Sequence, residues 1–215
     1  MKLVDYKVSG FISEVDSKSP APGGGSVAAL SSTLGVALTR MVGHLTVGKK
    51  KFLALPAETQ LEFKTVHDSL IMMKDQLELL IDEDTNSFNM IMEAFKLPKE
   101  TEEQIKTRNE KIQEATHEAI RVPVKVASLS LSALHQLPYI LKHGNKQTVS
   151  DIGVATLMLA SGIEGACMNV FINLPGLEDS IAVQQYENQA NDMIKKAHEI
   201  RDELLETVYH YLRKK

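Results

Sequence analysis

Cysteine is nearly absent from this chain: Cys167 is the only one among 215 residues. One cysteine excludes both a disulfide framework and a zinc site made from several cysteines of a single chain. Basic residues are not in excess either, because the formal net charge is −4. Nucleic-acid-binding proteins usually show a basic excess, so we expect no nucleic-acid partner.

The sequence also lacks a long apolar segment free of charge. Its most apolar run, residues 27–47, contains Arg40 and several serines and threonines. This mixture is typical of a buried helix in a soluble protein and not of a membrane span, so we expect no membrane partner. Lys2, Asp5 and Lys7 interrupt the first residues, where a signal segment would be apolar, and we therefore expect a cytoplasmic protein.

What the chain does have is helical periodicity in nearly every segment. Hydrophobic residues make up 43% and charged residues 24%, which is the balance of an ordinary globular domain. No stretch alternates long enough to predict a sheet. We therefore predict one all-α domain over residues 1–215, an up-and-down bundle of long helices. The predicted helices cover residues 3–15, 26–47, 56–97, 101–141 and 150–174, and a last charged helix follows Pro175 and Gly176.

Local signals place several of these boundaries. Ser26 is the predicted N-cap of the second helix, and "TEEQ" at residues 101–104 has the spacing of a capping box. Pro98 ends the long third helix, since proline lacks the backbone N–H that a helix needs. Pro123 predicts a kink or break in the helix that follows.

Two of the predicted helical segments, 26–47 and 150–166, are rich in glycine, alanine and serine. Both are apolar nearly all round, which predicts a central position in the bundle. Small side chains let helices approach closely, and they also suit the wall of a flat ligand or a subunit interface. Plain tight packing and a ligand-binding role both remain open at this point.

A glycine-rich loop, "SPAPGGGSVAAL" at residues 19–30, leads into the first of these helices. Glycine lets backbone N–H groups come close to a ligand, and a helix N-terminus adds unpaired donors with a positive dipole. Gly23, Gly24, Gly25 and Ser26 are therefore candidates for ligand binding. The alternative is a mobile connector between two helices.

One carboxylate lies where a hydrophobic residue belongs. The apolar stripe of helix 56–97 advances in steps of three and four residues, and Asp84 occupies one of its core-facing places. A buried unpaired charge is very costly, so Asp84 must find partners or take up a proton. Desolvation raises a carboxyl pKa towards neutral, which suits acid–base catalysis. A structural aspartate satisfied by a neighbouring helix is the alternative. Asp82 and Glu83 fall off the stripe and are predicted to be solvated.

Arg108 holds a similar core-facing place on the following helix, in a stripe that runs from Ile105 to Val126. It could pair with Asp84, or it could bind a substrate carboxylate through two guanidinium nitrogens. The alternative is an arginine near a helix end that extends outward to solvent.

Three further polar residues lie on helix 150–174. Asn169 and Asn173 are four residues apart within an apolar run, so their amides share one face. They could read the hydrogen-bonding edge of a heterocycle or tie two helices together. Asp151 starts the helix, where a cap is more usual than a ligand.

The remaining motifs are weaker. "GHLTVGKK" at residues 43–50 nearly matches a phosphate-binding P-loop, but Lys50 replaces the required serine or threonine and the segment follows a helix. The basic run at residues 49–51 is typical of a solvated connector, yet it could attract an anionic substrate tail. The seven histidines lack the spacing of a metal site, and we expect no metal.

Four stretches follow one another along the chain: "SPAPGGGSVAAL…MVGHLTVGKKKF", "LIDEDTNSFNMIMEAFKLPK", "TRNEKIQEATHEAIRVPVKVA" and "SDIGVATLMLASGIEGACMNVFINL". Together they resemble, in order, the cyclodeaminase/cyclohydrolase family of folate enzymes. The family includes the formiminotetrahydrofolate cyclodeaminase part of a bifunctional enzyme and stand-alone bacterial methenyltetrahydrofolate cyclohydrolases. The resemblance covers nearly the whole chain.

This resemblance implies an all-helical homodimer that binds a reduced folate in a cleft near the subunit interface, without a metal or a further cofactor. It implies that Asp84 is the catalytic residue. It implies substrate contacts for the following residues: Gly23, Gly24, Gly25, Ser26, Arg108, Asp151, Asn169 and Asn173. Arg40 and Lys49 would steer the anionic glutamate tail of the folate.

Two reactions fit these expectations. In the cyclodeaminase reaction, N10 of 5-formiminotetrahydrofolate attacks the formimino carbon, and ammonia leaves to give 5,10-methenyltetrahydrofolate. In the cyclohydrolase reaction, water attacks the methenyl carbon and the ring opens to 10-formyltetrahydrofolate. A carboxyl group with a raised pKa could move the proton in either reaction. The alternative from another class is a non-catalytic helical folate-binding or scaffold dimer.

Overall fold

The computed structural model describes residues 1–214, which form helices and turns without a strand. In chain order the α-helices are α1 (Val8–Val15), α2 (Gly24–His44), α3 (Lys50–Leu53), α4 (Ala57–Lys96), α5 (Glu102–Leu134), α6 (Leu137–His143), α7 (Val149–Asn173) and α8 (Ser180–Arg213). Short 3-10 turns lie at Leu3–Asp5, Lys146–Thr148 and Leu174–Gly176.

The helices α2, α4, α5 and α7 form the central bundle, and α8 packs along α7 and α5. Contacts at both ends of α2 show that it runs antiparallel to α4. Its first turn meets the middle of α4 through Ser26 and Ile81, and its last turns meet the first half of α4 through Arg40 and His67. These contacts confirm the predicted helical bundle, with antiparallel neighbours as in an up-and-down arrangement.

The two small-residue helices, α2 and α7, lie against each other at the centre, as predicted. A Cβ atom added at Gly35 would lie 2.8 Å from Leu159 Cγ, and one added at Gly162 would lie 2.0 Å from Ser32 Oγ. Because neither glycine has a side chain of its own, the neighbouring helix can approach its backbone more closely than ordinary packing allows. Larger residues at either glycine would push α2 and α7 apart.

Three predicted boundaries need comment. The Thr101 capping box is confirmed, since its hydroxyl and its N–H both bond to Gln104 at 3.2 Å. The predicted helix 101–141 is wrong at its end, because α5 stops at Leu134 and α6 begins separately. Pro138 explains the break, as its ring blocks continuation of a helix from the preceding turn. Pro123 lies inside α5, which continues through it without a break.

The predicted first helix is divided into the 3-10 turn Leu3–Asp5 and α1. The turn is anchored by Asp82, whose carboxylate accepts hydrogen bonds from the N–H of Leu3 at 2.6 Å and of Val4 at 3.4 Å. The prediction that Asp82 is solvated is therefore wrong, since its side chain is half-buried and structural. This anchor holds the N-terminal segment beside α4, two residues from Asp84.

Two helical segments, Gly24–His44 and Lys146–Gly176, are long and apolar enough to cross a membrane by length and composition. In the bundle, 56% and 50% of their most apolar windows are buried. These segments contain the central helices α2 and α7, whose buried residues pack in the core of the bundle. The expectation of no membrane partner stays a prediction.

Candidate active site

The candidate site lies where the middle of α4 meets the first turn of α2. Asp84 on α4 points at this turn, and the Ser26 hydroxyl lies 3.1 Å from Asp84 Oδ2. The apolar stripe therefore placed Asp84 correctly on the face of α4 that contacts the bundle. Gly23 is the N-cap of α2, so the prediction that Ser26 caps this helix is wrong.

Gly25 lies directly under the Asp84 carboxylate. A Cβ atom added at Gly25 would lie 2.0 Å from Oδ1 and 2.5 Å from Cγ of Asp84. Only glycine lets the carboxylate reach the backbone of α2 at this point. The first N–H groups of α2, at Gly24, Gly25 and Ser26, have no partner within the helix and carry its positive dipole end. The carboxylate thus lies at a place that favours negative charge.

Ser26 is fully buried and links three oxygens of α4. Its Oγ lies 2.8 Å from the Ile81 carbonyl oxygen, 3.1 Å from Asp84 Oδ2 and 3.2 Å from Thr85 Oγ1. A hydroxyl has one hydrogen to donate, and the carbonyl makes the shortest contact. If the Ser26 hydroxyl donates its hydrogen to the Ile81 carbonyl, it can only accept a hydrogen bond from Asp84. Asp84 can donate that hydrogen bond only when its carboxyl group is protonated.

Burial raises the pKa of the Asp84 carboxyl group above its ordinary value. Hydrogen bonds from the hydroxyl and the backbone N–H of Ser26 act in the opposite direction and limit the rise. No cation of residues 1–214 forms a salt bridge with Asp84. A carboxyl group in this setting can take up and release a proton closer to neutral pH than an exposed aspartate can.

This raised pKa predicts a pH-dependent stability difference. The native chain keeps the Asp84 proton at pH values where the unfolded chain has released it, so the free energy of unfolding falls as pH rises through the native pKa. The Asp84→Asn variant cannot ionise and lacks this loss. We expect its melting temperature to gain on the parent protein as pH increases, in thermal denaturation between about pH 4 and 8. A difference that stays constant with pH would contradict the raised pKa.

Asn169 on α7 lies beside the same turn of α2, at Gly24. Its Nδ2 would lie 3.3 Å from a Cβ added at Gly24, and it donates to the Gly165 carbonyl at 2.8 Å. One turn further along, Asn173 Nδ2 donates to the carbonyls of Asn169 and Ala119, at 2.9 and 3.1 Å. The Asn173 amide therefore ties α7 to α5, and no hydrogen bond within residues 1–214 engages either amide oxygen.

Arg108 does not pair with Asp84. Its guanidinium carbon lies 5.5 Å from the centre of the Phe95 ring, and Nη2 contacts the Phe95 carbonyl at 3.4 Å. Phe95 lies eleven residues beyond Asp84 on α4, which is about 16 Å along the helix axis. The Nε atom of Arg108 is buried without a hydrogen-bond partner in the described part of the chain. A substrate-binding role for Arg108 stays a prediction, and it would apply to a distant part of an extended ligand.

The other predicted contacts lie at the opposite end of the bundle. Arg40 Nη1 donates to the His67 carbonyl at 2.9 Å, near the C-terminal end of α2. Lys49 follows that end, and Asp151 lies in the first turn of α7. Thr148, not Asp151, is the N-cap of α7, and its side chain makes no capping bond. Since α2 is about 30 Å long, these residues do not reach Asp84 within one chain.

Two features of the site were missed at the level of sequence. One is Thr85, whose hydroxyl lies in the Ser26 group; the other is the contact of Gly25 with the carboxylate. The pattern "GGGS" signalled a loop and a helix start but not which α4 residue would lie on it. Only the pairing of α2 with α4 reveals both contacts.

Comparison with known proteins shows the family and the fold of the chain. The formiminotransferase-cyclodeaminase family model matches residues 7–192. This chain belongs to that family, which confirms the resemblance seen in the four sequence stretches. It is 32% identical over 198 residues to methenyltetrahydrofolate cyclohydrolase of Methylorubrum extorquens, and the match covers 92% of this chain and 93% of that protein.

A second relative is larger. The chain is 35% identical over 195 residues to formimidoyltransferase-cyclodeaminase of Mus musculus, with 91% of this chain but 35% of that protein covered. The chain therefore spans about a third of the length of the mouse relative. Formiminotetrahydrofolate cyclodeaminase from Thermotoga maritima has the same fold, with a TM-score of 0.80 at 23% identity over 95% of this chain and 98% of that one.

Proposed function

We propose that this member of the folate one-carbon cyclodeaminase/cyclohydrolase family converts 5-formiminotetrahydrofolate to 5,10-methenyltetrahydrofolate and ammonia. The observation that carries the proposal is the Asp84 carboxyl group, half-buried against the first turn of α2 with a raised pKa. Each step of this reaction needs a proton moved between nitrogens, and a single carboxyl group of this kind can move it. No electrons are transferred, so the proposed chemistry requires no redox cofactor.

In the proposed mechanism, N10 of the folate attacks the formimino carbon and forms a new C–N bond. The Asp84 carboxylate accepts the proton that N10 loses and then gives it to the departing amine, whose C–N bond breaks to release ammonia. While Asp84 is ionised, the Ser26 hydroxyl and the N–H groups of the first turn stabilise its charge. The amide oxygens of Asn169 and Asn173 accept hydrogen bonds from the pterin edge.

The second candidate is the cyclohydrolase reaction. The observation that favours it is the match to a relative of nearly equal length, since the chain covers 93% of the Methylorubrum extorquens cyclohydrolase and 35% of the mouse bifunctional protein. In this reaction the Asp84 carboxylate takes a proton from water as the water attacks the methenyl carbon. The C–N bond to N5 then breaks as N5 takes up a proton and the new hydroxyl group loses its own to become the formyl oxygen, and 10-formyltetrahydrofolate is released.

Two absorbance assays separate these reactions. Both follow the ultraviolet absorbance of methenyltetrahydrofolate, one starting from 5-formiminotetrahydrofolate and the other from methenyltetrahydrofolate, each against its uncatalysed blank. Enzyme-dependent appearance in the first assay supports the cyclodeaminase. Enzyme-dependent loss in the second, with no activity in the first, supports the cyclohydrolase. Silence in both overturns the enzyme proposal and leaves a folate-binding or scaffold protein.

We further propose that two copies of the chain pair through the exposed sides of α2 and α7. Six large apolar side chains define this open face: Val27, Leu34, Met41, Val154, Leu157 and Met168. Those on α2 recur every seven residues, and α2 contains no acidic residue. An uncharged stripe of this kind can pair with a second copy of itself around a twofold axis without repulsion.

Such a pairing would also account for the distant predicted residues. If the two α2 helices cross antiparallel about Leu34, the C-terminal end of α2 in one copy lies beside the glycine-rich start of α2 in the other. Arg40 and Lys49 of one copy would then approach the substrate at Asp84 of the other. This arrangement is consistent with a folate cleft near the subunit interface.

The pairing predicts the effect of a charge on the open face. We expect Leu34→Glu to convert dimers to monomers in sedimentation velocity runs, because two like charges would face each other at the axis. Leu61→Glu is the matched control, since Leu61 is 68% exposed on α4 outside the open face. Wild-type protein that sediments as a monomer, or a Leu34→Glu variant that remains dimeric, would overturn this interface.

A further inference from the structure

A cleft of about 640 Å³ lies at the end of the bundle opposite Asp84. Its walls are the turn from α2 into α3 and the turn from α6 into α7. The two turns are fastened together, because the N–H of Asn145 donates to Thr46 Oγ1 at 2.8 Å and its Nδ2 contacts the Leu45 carbonyl at 3.3 Å. The cleft is therefore built into the fold and does not depend on one mobile loop.

Positive charge dominates this cleft. The five lysines among its lining residues are Lys49, Lys50, Lys51, Lys142 and Lys146. No aspartate or glutamate lines it, although the formal net charge of the whole chain is −4. Like charges gathered in one concave space repel one another, and the cost is offset when an anion binds there.

None of the five lysines has an acidic partner within residues 1–214. Lys146 alone is engaged, since its Nζ donates to the Leu141 and Lys142 carbonyls at 2.6 and 2.9 Å. No salt bridge within residues 1–214 involves any of the other four. Glu62 is the nearby acid, and its carboxylate accepts the hydroxyl hydrogen of Tyr139 outside the cleft.

Burial and the positive charge of the lysines in this cleft both affect the pKa of His143. The pKa of the His143 imidazole is lowered, and burial is the largest cause. The charges of Lys142 and Lys146 lower this pKa further, and Glu62 opposes them with a smaller effect. Thr148, another lining residue, is the N-cap of the 25-residue helix α7, and the first N–H groups of that helix follow it in the chain. Lysine ammonium groups and helix N–H groups are both donors suited to an anion.

We propose that this cleft binds a small, multiply charged anion through Lys49, Lys50, Lys51 and Lys142. Such an anion carries two or more phosphate or carboxylate groups. It could be a free phosphorylated metabolite, which makes the cleft a site independent of catalysis. It could also be the carboxylate tail of a folate seated on the second copy of the chain, and this second source rests on the proposed function.

Isothermal titration calorimetry with two probes tests the proposal and separates the sources. The probes are tripolyphosphate and a γ-linked triglutamate peptide, each titrated into the whole chain without folate at low and at physiological salt. We expect the better probe to bind with a Kd that rises at least tenfold in the variant Lys50→Gln/Lys51→Gln/Lys142→Gln. The matched control, Lys18→Gln/Lys99→Gln/Lys195→Gln, removes the same charge from exposed positions elsewhere and should bind like the wild type.

The calorimetric results show whether the cleft lysines bind an anion and of which kind. Lysine-dependent binding of tripolyphosphate alone supports the proposal with a phosphorylated ligand, and lysine-dependent binding of the peptide supports it with a folate tail. Absence of binding for both probes, or equal weakening in the test and control variants, overturns it. Because no turnover is measured, failure of the proposed catalytic function would leave this result unaffected.

Discussion

Replacing Asp84 with asparagine should lower turnover by about 10²–10⁴-fold, the usual contribution of a general acid–base group. Asparagine keeps the shape of the side chain and can still contact Ser26, but it cannot carry a proton between nitrogens. The measurement is the initial rate in whichever of the two absorbance assays shows wild-type activity. The fold should stay intact, because Asp84 forms no salt bridge and its burial raises its pKa.

Glu83→Gln is the control for this experiment. It removes the same charge from the adjacent position on α4, where Glu83 is half-buried and forms no hydrogen bond with Ser26. We expect its rate to stay within a few-fold of the wild type. An Asp84→Asn variant with a near-normal rate would show that Asp84 is structural or that the reaction uses another group.

A further variant, Asp84→Leu, should melt at or above the wild-type temperature, and a large loss of stability would make Asp84 a structural pairing residue.

The second large effect is expected from Gly25→Ala. The new methyl group would overlap Asp84 Oδ1, which lies 2.0 Å from its ideal position, so the carboxylate or the start of α2 must move. Overpacking of this kind costs about 1–3 kcal/mol of stability. We also expect turnover to fall to nearly the level of Asp84→Asn, since catalytic geometry depends on placement within a fraction of an ångström. Urea denaturation and the absorbance assay measure the two effects.

A double variant separates the clash from a general weakening of the helix. In Gly25→Ala/Asp84→Ala the overlapping atoms are absent, so we expect stability to recover by at least about 1 kcal/mol relative to the sum of the single changes. Activity should remain absent, because the carboxyl group is gone. Gly24→Ala is the control for stability, since its methyl group meets only the end of the Asn169 side chain, at 3.3 Å. Equal losses at Gly24 and Gly25 would refute the specific contact with Asp84.

These variants together distinguish an enzyme from a scaffold. A scaffold dimer needs the open face of α2 and α7 but gains nothing from a buried carboxyl group. The two hypotheses therefore differ at Asp84 and agree at Leu34. Loss of turnover in Asp84→Asn with an unchanged dimer would reject the scaffold, and silence of the wild type in both assays would reject the enzyme.

Several errors in the sequence-based predictions share a cause. The frequency of serine at helix starts predicts an N-cap at Ser26, but its hydroxyl contacts α4 and helix α2 begins two residues earlier, at Gly24. Asp82 falls off the apolar stripe and still became structural, because the N-terminal turn folds back over α4. Arg108, like Asp84, occupies a core-facing place in an apolar stripe, but its guanidinium group lies over the Phe95 ring and does not reach Asp84. In each case a neighbouring element, not the local pattern, decided the contact.

The helical class, the long α4, the central place of α2 and α7 and the unusual position of Asp84 followed from the sequence by itself. They follow because periodicity and composition report which side of a helix is buried, and burial acts on each helix separately. The tertiary structure alone decided that Gly25 lies under Asp84, that Asn169 flanks the same turn, and that lysines 49–51 and Lys142 share a cleft. Those contacts join residues 59 or more positions apart or on separate helices, and their geometry depends on how antiparallel helices are aligned along their axes. No local pattern records that alignment.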